Sequence, residues 1–67
     1  MPPITDFSTA IIAIPANKIN NGDVPYAVLR WLSQYAMMLP PADGNRRWEI
    51  GVYRVDEFMA VCRECGV

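Results

Sequence analysis

Sixty-seven residues leave room for one domain and no second. Hydrophobic residues make up 52% of the chain and charged residues 19%, a balance that excludes disorder by composition. Six basic residues against seven acidic ones give a net charge of −1, which excludes a protein that coats nucleic acid through general basicity but leaves a local cationic patch open.

The chain has no histidine, so it lacks both the commonest general base and the commonest zinc ligand. Met1-Pro2-Pro3-Ile4-Thr5-Asp6 has no basic n-region of a secretory signal, and the apolar run over residues 10–14 stops at Pro15, far short of a membrane span. The expectation is a soluble, cytoplasmic protein with reduced thiols and no membrane partner. In chain order, Pro2 and Pro3 prevent regular structure in a flexible arm over residues 1–8, and residues 9–67 form the single domain.

The isoleucine-rich run 10–14 fits a short buried strand. Pro15 suits the first position of a short helix over 15–20, with Asn21-Gly22 as its C-cap. Asp23 or Val24 is then placed to cap a second helix that carries Pro25 in its first turn. In that helix Val24, Ala27, Val28, Trp31, Leu32 and Tyr35 recur with a period of 3.6 residues, which makes them its apolar face. Trp31 is expected in the core. Tyr26, Arg30, Ser33, Gln34 and Met37 fall mainly on the opposite face, and Pro40-Pro41 stops the helix.

Asp43-Gly44-Asn45 is turn chemistry. From Arg47 to Val52 the side chains alternate, so Trp48, Ile50 and Val52 share one strand face while Arg46 and Arg47 project near the turn. The last helix, from about Arg54 to Glu64, carries the stripe Val55, Phe58, Met59, Cys62 and Cys65. Two adjacent helices joined by Asn-Gly-Asp suggest a helix-turn-helix, and a hairpin directly after the second helix suggests a wing.

Candidate chemistry is sparse. Cys62-x-x-Cys65 is half of a zinc site that a second chain would have to complete, a redox pair lacking the strand-to-helix context of thioredoxin, or two apolar-stripe residues that pack. Packing is the simplest of these, and no cofactor is expected. Asp56 and Glu57 are adjacent, so they diverge on a helix and make no catalytic dyad; their place near its start suits the helix dipole. With no phosphate loop and no Ser/His/Asp set, an enzyme is not expected.

The segments Val24-Pro25-Tyr26-Ala27-Val28-Leu29-Arg30-Trp31-Leu32, Leu39-Pro40-Pro41 and Asp43-Gly44, followed by an aromatic strand, resemble the phage excisionases. These are also called recombination directionality factors and are related to AlpA-type and MerR-type winged helices. Arg30-Trp31-Leu32 matches the end of that family's recognition helix, Gly44 with Arg46-Arg47-Trp48 matches its wing, and Tyr53-Arg54 with Asp56-Glu57-Phe58 resembles its closing helix. The resemblance covers roughly residues 12–62. It implies an α+β fold: a small winged helix-turn-helix with a short strand, two helices, a β-hairpin wing and a C-terminal helix. It also implies an architectural role, in which the protein binds double-stranded DNA at an attachment site, bends it with neighbouring copies of itself, and assists an integrase in excision.

On that reading Arg30 meets a guanine edge, Ser33 or Gln34 a base or phosphate, and Tyr26 lies on the same face. Arg46 and Arg47 meet phosphate or the minor groove, and Lys18 meets the backbone. The bland alternative is a solvated helix face and a charge pair balanced by Asp43 and Glu49. A second functional alternative is a small phage-type inhibitor or adaptor that binds protein through an apolar patch at Tyr35, Met37 and Met38.

Overall fold

The computed structural model describes residues 8–66, so the arm expected over residues 1–8 lies, apart from Ser8, outside the described residues. The elements run β1 (Thr9–Pro15), α1 (Ala16–Asn20), α2 (Tyr26–Tyr35), β2 (Met37–Ala42), β3 (Asn45–Gly51) and, after a 3-10 turn over Val52–Arg54, α3 (Val55–Glu64). The strands form one antiparallel sheet in the order β1-β3-β2. A small α+β domain is therefore what the chain builds.

Alternation decides which side of the sheet is covered. On β1 the even residues Ala10, Ile12 and Ile14 are half-buried, while Thr9, Ile11 and Ala13 are exposed. Their register partners on β3 include Ile50 opposite Ala10 and Trp48 opposite Ile12, both almost fully buried. One face thus packs under the helices and the other stays open, so β1 is a half-covered edge strand rather than the buried strand expected from its composition. Val52, expected to continue the Trp48–Ile50 face, is exposed because the strand has already ended at Gly51.

The core consists of Val28, Trp31 and Leu32 from α2 with Trp48 and Ile50 from β3. Leu29 packs against it in place of Ala27, which is exposed, and Tyr35 at the end of the expected apolar face is 44% exposed. From α3, Val55, Phe58, Val61 and Cys62, with the C-cap residue Cys65, pack on the core, while Met59 points outward.

The link between α1 and α2 is closed by backbone bonds. Gly22 adopts φ +77°, its N–H donates to the Ile19 carbonyl at 3.1 Å, and the Asp23 N–H donates to the Lys18 carbonyl at 2.9 Å. That is a Schellman stop, and a left-handed residue at this place favours glycine. Asp23 does not cap α2: Pro25 is the N-cap, its carbonyl accepting from Val28 N–H at 3.0 Å, and no side chain caps the helix. Pro15 likewise is the last residue of β1 and the N-cap of α1 rather than its first residue.

The second helix is shorter than the proline stop suggested. It ends at Tyr35, and residues 37–42, Met-Met-Leu-Pro-Pro-Ala, form β2. Prolines are tolerated there because β2 is an edge strand whose pairing with β3 is irregular between Leu39 and Ala42. The turn is Asp43-Gly44 alone, with φ +54° and +76°, and Ala42 pairs with Asn45 across it. Positive φ at both central residues is what a two-residue type I′ hairpin requires.

Candidate functional site

α2 begins straight after the Schellman turn, and its outer side carries Tyr26, Arg30, Ser33 and Gln34, all exposed. The spacing i, i+4, i+7, i+8 puts them on one face, opposite buried Val28 and Leu32. Tyr26 is 77% exposed. Ser33 Oγ donates to the Arg30 carbonyl at 2.8 Å, so this hydroxyl already has a partner one turn back. Among the described residues Arg30 takes part in no ion pair, and its guanidinium is free to meet a ligand.

The other candidate cations are differently placed. Lys18 on α1 lies 4.0 Å from the Asp23 carboxylate, with both side chains more than half exposed. A pair so open to water leaves most of the charge available. Arg46 and Arg47 are the second and third residues of β3 and are half-buried, so they do not project from the hairpin tip. Successive strand residues point to opposite faces. Arg46 shares the helix-covered face with Trp48 and holds its guanidinium 5.3 Å from that ring's centroid. Arg47 shares the open face with Glu49, and its Nε donates to the Pro40 carbonyl at 3.0 Å.

The hairpin tip is tied down as well, because Ala16 N–H at the start of α1 donates to the Gly44 carbonyl at 2.9 Å. The structure thus gathers four of the seven candidates on the outside of α2, sets Arg46 on the same side of the sheet as that helix, and sends Arg47 to the other side.

A cluster that sequence reasoning missed joins α2 to α3. Trp31 Nε1 donates to Glu57 Oε1 at 3.0 Å, and Arg54 donates to the same oxygen at 3.2 Å. The Arg54 guanidinium also lies over the Tyr35 ring at 4.5 Å and within 5.3 Å of the Tyr53 ring. Tyr35 and Phe58 flank the indole at 5.2 and 5.4 Å. Glu57 therefore serves as an acceptor between helices as well as an acid near the start of α3. The signal available in the sequence was the indole N–H itself, since a buried tryptophan needs an acceptor.

Met37 and Met38 are 65% and 61% exposed, Met37 paired with Glu49 on the open face and Met38 with Trp48 on the helix-covered one. They are strand residues of β2, and Leu39 between them and the prolines is half-buried. Cys62 and Cys65 are free, half-buried thiols. Burial pushes the Cys62 thiol above its ordinary pKa, and the neighbouring Cys65 adds to the shift, so the neutral form of Cys62 is favoured and its nucleophilicity reduced. No helix among the described residues is long and apolar enough to cross a membrane. No protein-family model, characterised protein or solved structure gives a significant match to this chain.

Proposed function

We propose that this chain is a winged helix-turn-helix DNA-binding accessory protein of the excisionase kind, with α1 and α2 as the helix pair, α2 as the recognition helix and the β2–β3 hairpin as a short wing. The observation that carries this reading is the bare outer face of α2, where Tyr26, Arg30, Ser33 and Gln34 stand exposed immediately after a tight glycine turn. A helix that rests on a sheet through one face and offers polar side chains at i, i+4, i+7 and i+8 on the other has the form needed to enter a major groove. The element order and the excisionase-like segments support the further reading that the protein acts at attachment-site DNA beside an integrase and neighbouring copies of itself. Its contribution there is positional: it bends or marks DNA and makes no covalent bond.

The test is a mobility shift with random-sequence and selected duplexes at low and moderate salt. Arg30→Ala is expected to relax sequence preference, while the folded state, followed by circular dichroism, is unchanged. A chain with no DNA affinity at low salt overturns the proposal.

The exposed Tyr35, Met37 and Met38 favour a second reading, a protein-binding inhibitor or adaptor. Each methionine is a flexible apolar contact, Met37 on the open face of the sheet and Met38 on the helix-covered face, so the apolar surface on offer wraps the β2 edge rather than lying on one face. A hetero-complex that survives Arg30→Ala but is lost on Met37→Glu with Met38→Glu would decide for it.

A further inference from the structure

The two edges of the sheet are built differently. β2 carries Pro40 and Pro41 and an irregular register, features that blunt an edge against further pairing. β1, Thr-Ala-Ile-Ile-Ala-Ile-Pro, has no charge, no bulge and no proline before its last residue. A flat, uncharged edge strand of this length is a template for another strand.

The hydrogen-bond phase tells which groups are on offer. Val52 N–H donates to the Ser8 carbonyl at 3.1 Å, and Ala16 N–H donates to the Gly44 carbonyl at 2.9 Å. The even-numbered residues of β1 therefore turn their N–H and C=O toward β3, and Thr9, Ile11 and Ala13 turn theirs outward. Among the described residues these outward groups have no backbone partner.

We infer that the β1 edge pairs with β1 of a second copy, antiparallel, about a two-fold axis at Ile12. The strand is self-complementary in that register. Ile11 falls opposite Ala13 of the second copy, and Ala13 opposite its Ile11, and each such pair exchanges two backbone hydrogen bonds. Pro15, which has no N–H and whose carbonyl begins α1, falls opposite Thr9 at the end of the ladder. Ile12 meets Ile12 at the axis as a close pair without hydrogen bonds, with Cα atoms about 4.5 Å apart.

Ile11 stands opposite Ala13 on the open face, Ala10 stands opposite Ile14 on either side of the central Ile12 pair on the covered face, and no like charges oppose each other. A two-fold axis perpendicular to the sheet keeps the helices of both copies on one side. The half-buried stripe of Ala10, Ile12 and Ile14 then continues into its counterpart beneath a shared cover. The sheet becomes six-stranded, with the proline-marked β2 strands as its outer edges. A domain whose described core has only five buried side chains gains stability from such an extension. The interface is isologous and closed, so it yields dimers and not fibres. It does not depend on whether the chain binds DNA.

The test is sedimentation velocity of the full chain at roughly 10 and 300 μM, with amide hydrogen exchange at both concentrations. A dimer is expected to fill the higher concentration, with the Thr9, Ile11 and Ala13 amides protected there and exposed at the lower one. Ala13→Pro removes an outward N–H without breaking a bond to β3 and is expected to give a folded monomer. Ile11→Lys, at an exposed side chain, is expected to weaken the dimer about tenfold or more through edge charge while the fold is kept. A monomer at the higher concentration overturns the inference. So does a dimer in which those three amides exchange as fast as they do at the lower concentration, or one that Ile11→Lys leaves unchanged.

Discussion

The Trp31 indole sits 7% exposed between α2 and α3, and its one polar atom is held by Glu57. Its two roles separate experimentally. The area it buries is the larger: Trp31→Ala is expected to cost about 3–5 kcal/mol, against a total stability of about 3–10 kcal/mol for a chain this short. The bond to Glu57 is smaller, because the carboxylate is 48% exposed and also serves Arg54. A double-mutant cycle of Trp31→Phe and Glu57→Ala, read by urea unfolding, is expected to show a coupling of about 0.5–1.5 kcal/mol. Additive single effects would mean that the indole bond contributes nothing. The core position of Trp31 was legible from the 3.6-residue period around it. Its acceptor was not, since Glu57 lies 26 residues away and an acid near a helix start has a local explanation of its own. The opposite orientations of Arg46 and Arg47 follow from strand alternation once β3 is known to begin at Asn45; taken as turn residues, they read as a single pair.

Among the elements, α1, the body of α2 and α3 follow from periodicity and stop signals, and their bounds lie within a few residues of what those signals imply. β2 does not. Met37-Met38-Leu39-Pro40-Pro41-Ala42 has neither strand alternation nor strand residues in its second half, and Pro-Pro is a strong helix stop. What makes it a strand is tertiary: β3 offers a partner, and an edge place lets the proline positions go without N–H donors. The turns were more legible, because positive φ selects glycine. Gly22 and Gly44, at φ +77° and +76°, have open space where a Cβ would stand, so conformational strain alone sets the effect of substitution. Gly22→Ala and Gly44→Ala are each expected to cost about 1–2 kcal/mol. For a domain of this size that corresponds to a fall in melting temperature of about 4–16 °C. Thermal unfolding checks both. An unchanged melting temperature in Gly22→Ala would mean that the α1–α2 link does not need its left-handed residue, and the Schellman stop would lose its role in setting α2 against α1.

At the scale of the whole molecule, the α+β class and the succession of helix pair and hairpin were readable from the chain, whereas the distribution of charge over the faces was not. Side-chain partners decide how many of the six cations a polyanion can use. Arg54 is held by Glu57 and by two tyrosine rings. Arg47 lies on the sheet face away from the helices. Arg63 lies exposed in the last turn of α3, where it complements the helix dipole. Lys18, Arg30 and Arg46 remain for a duplex lying along α2. Each phosphate neutralised contributes about −0.9 to the slope of log K against log salt, so with Arg30 aimed at a base edge and Lys18 and Arg46 at phosphates, a duplex bound in this way is expected to give a slope of about −2 per chain, shallow beside that of a protein making many phosphate contacts. Arg46→Ala is expected to reduce that slope by about one, and Arg47→Ala to leave it unchanged. Anisotropy titrations over a salt series read both. An equal loss in the two variants would mean that DNA wraps the hairpin from both faces, and α2 would then be one contact among several instead of the principal one. A slope twice as steep, at concentrations where the chain is dimeric, would instead place two copies of α2 on one duplex, which is the arrangement that a two-fold at Ile12, with all helices on one side of the sheet, makes available.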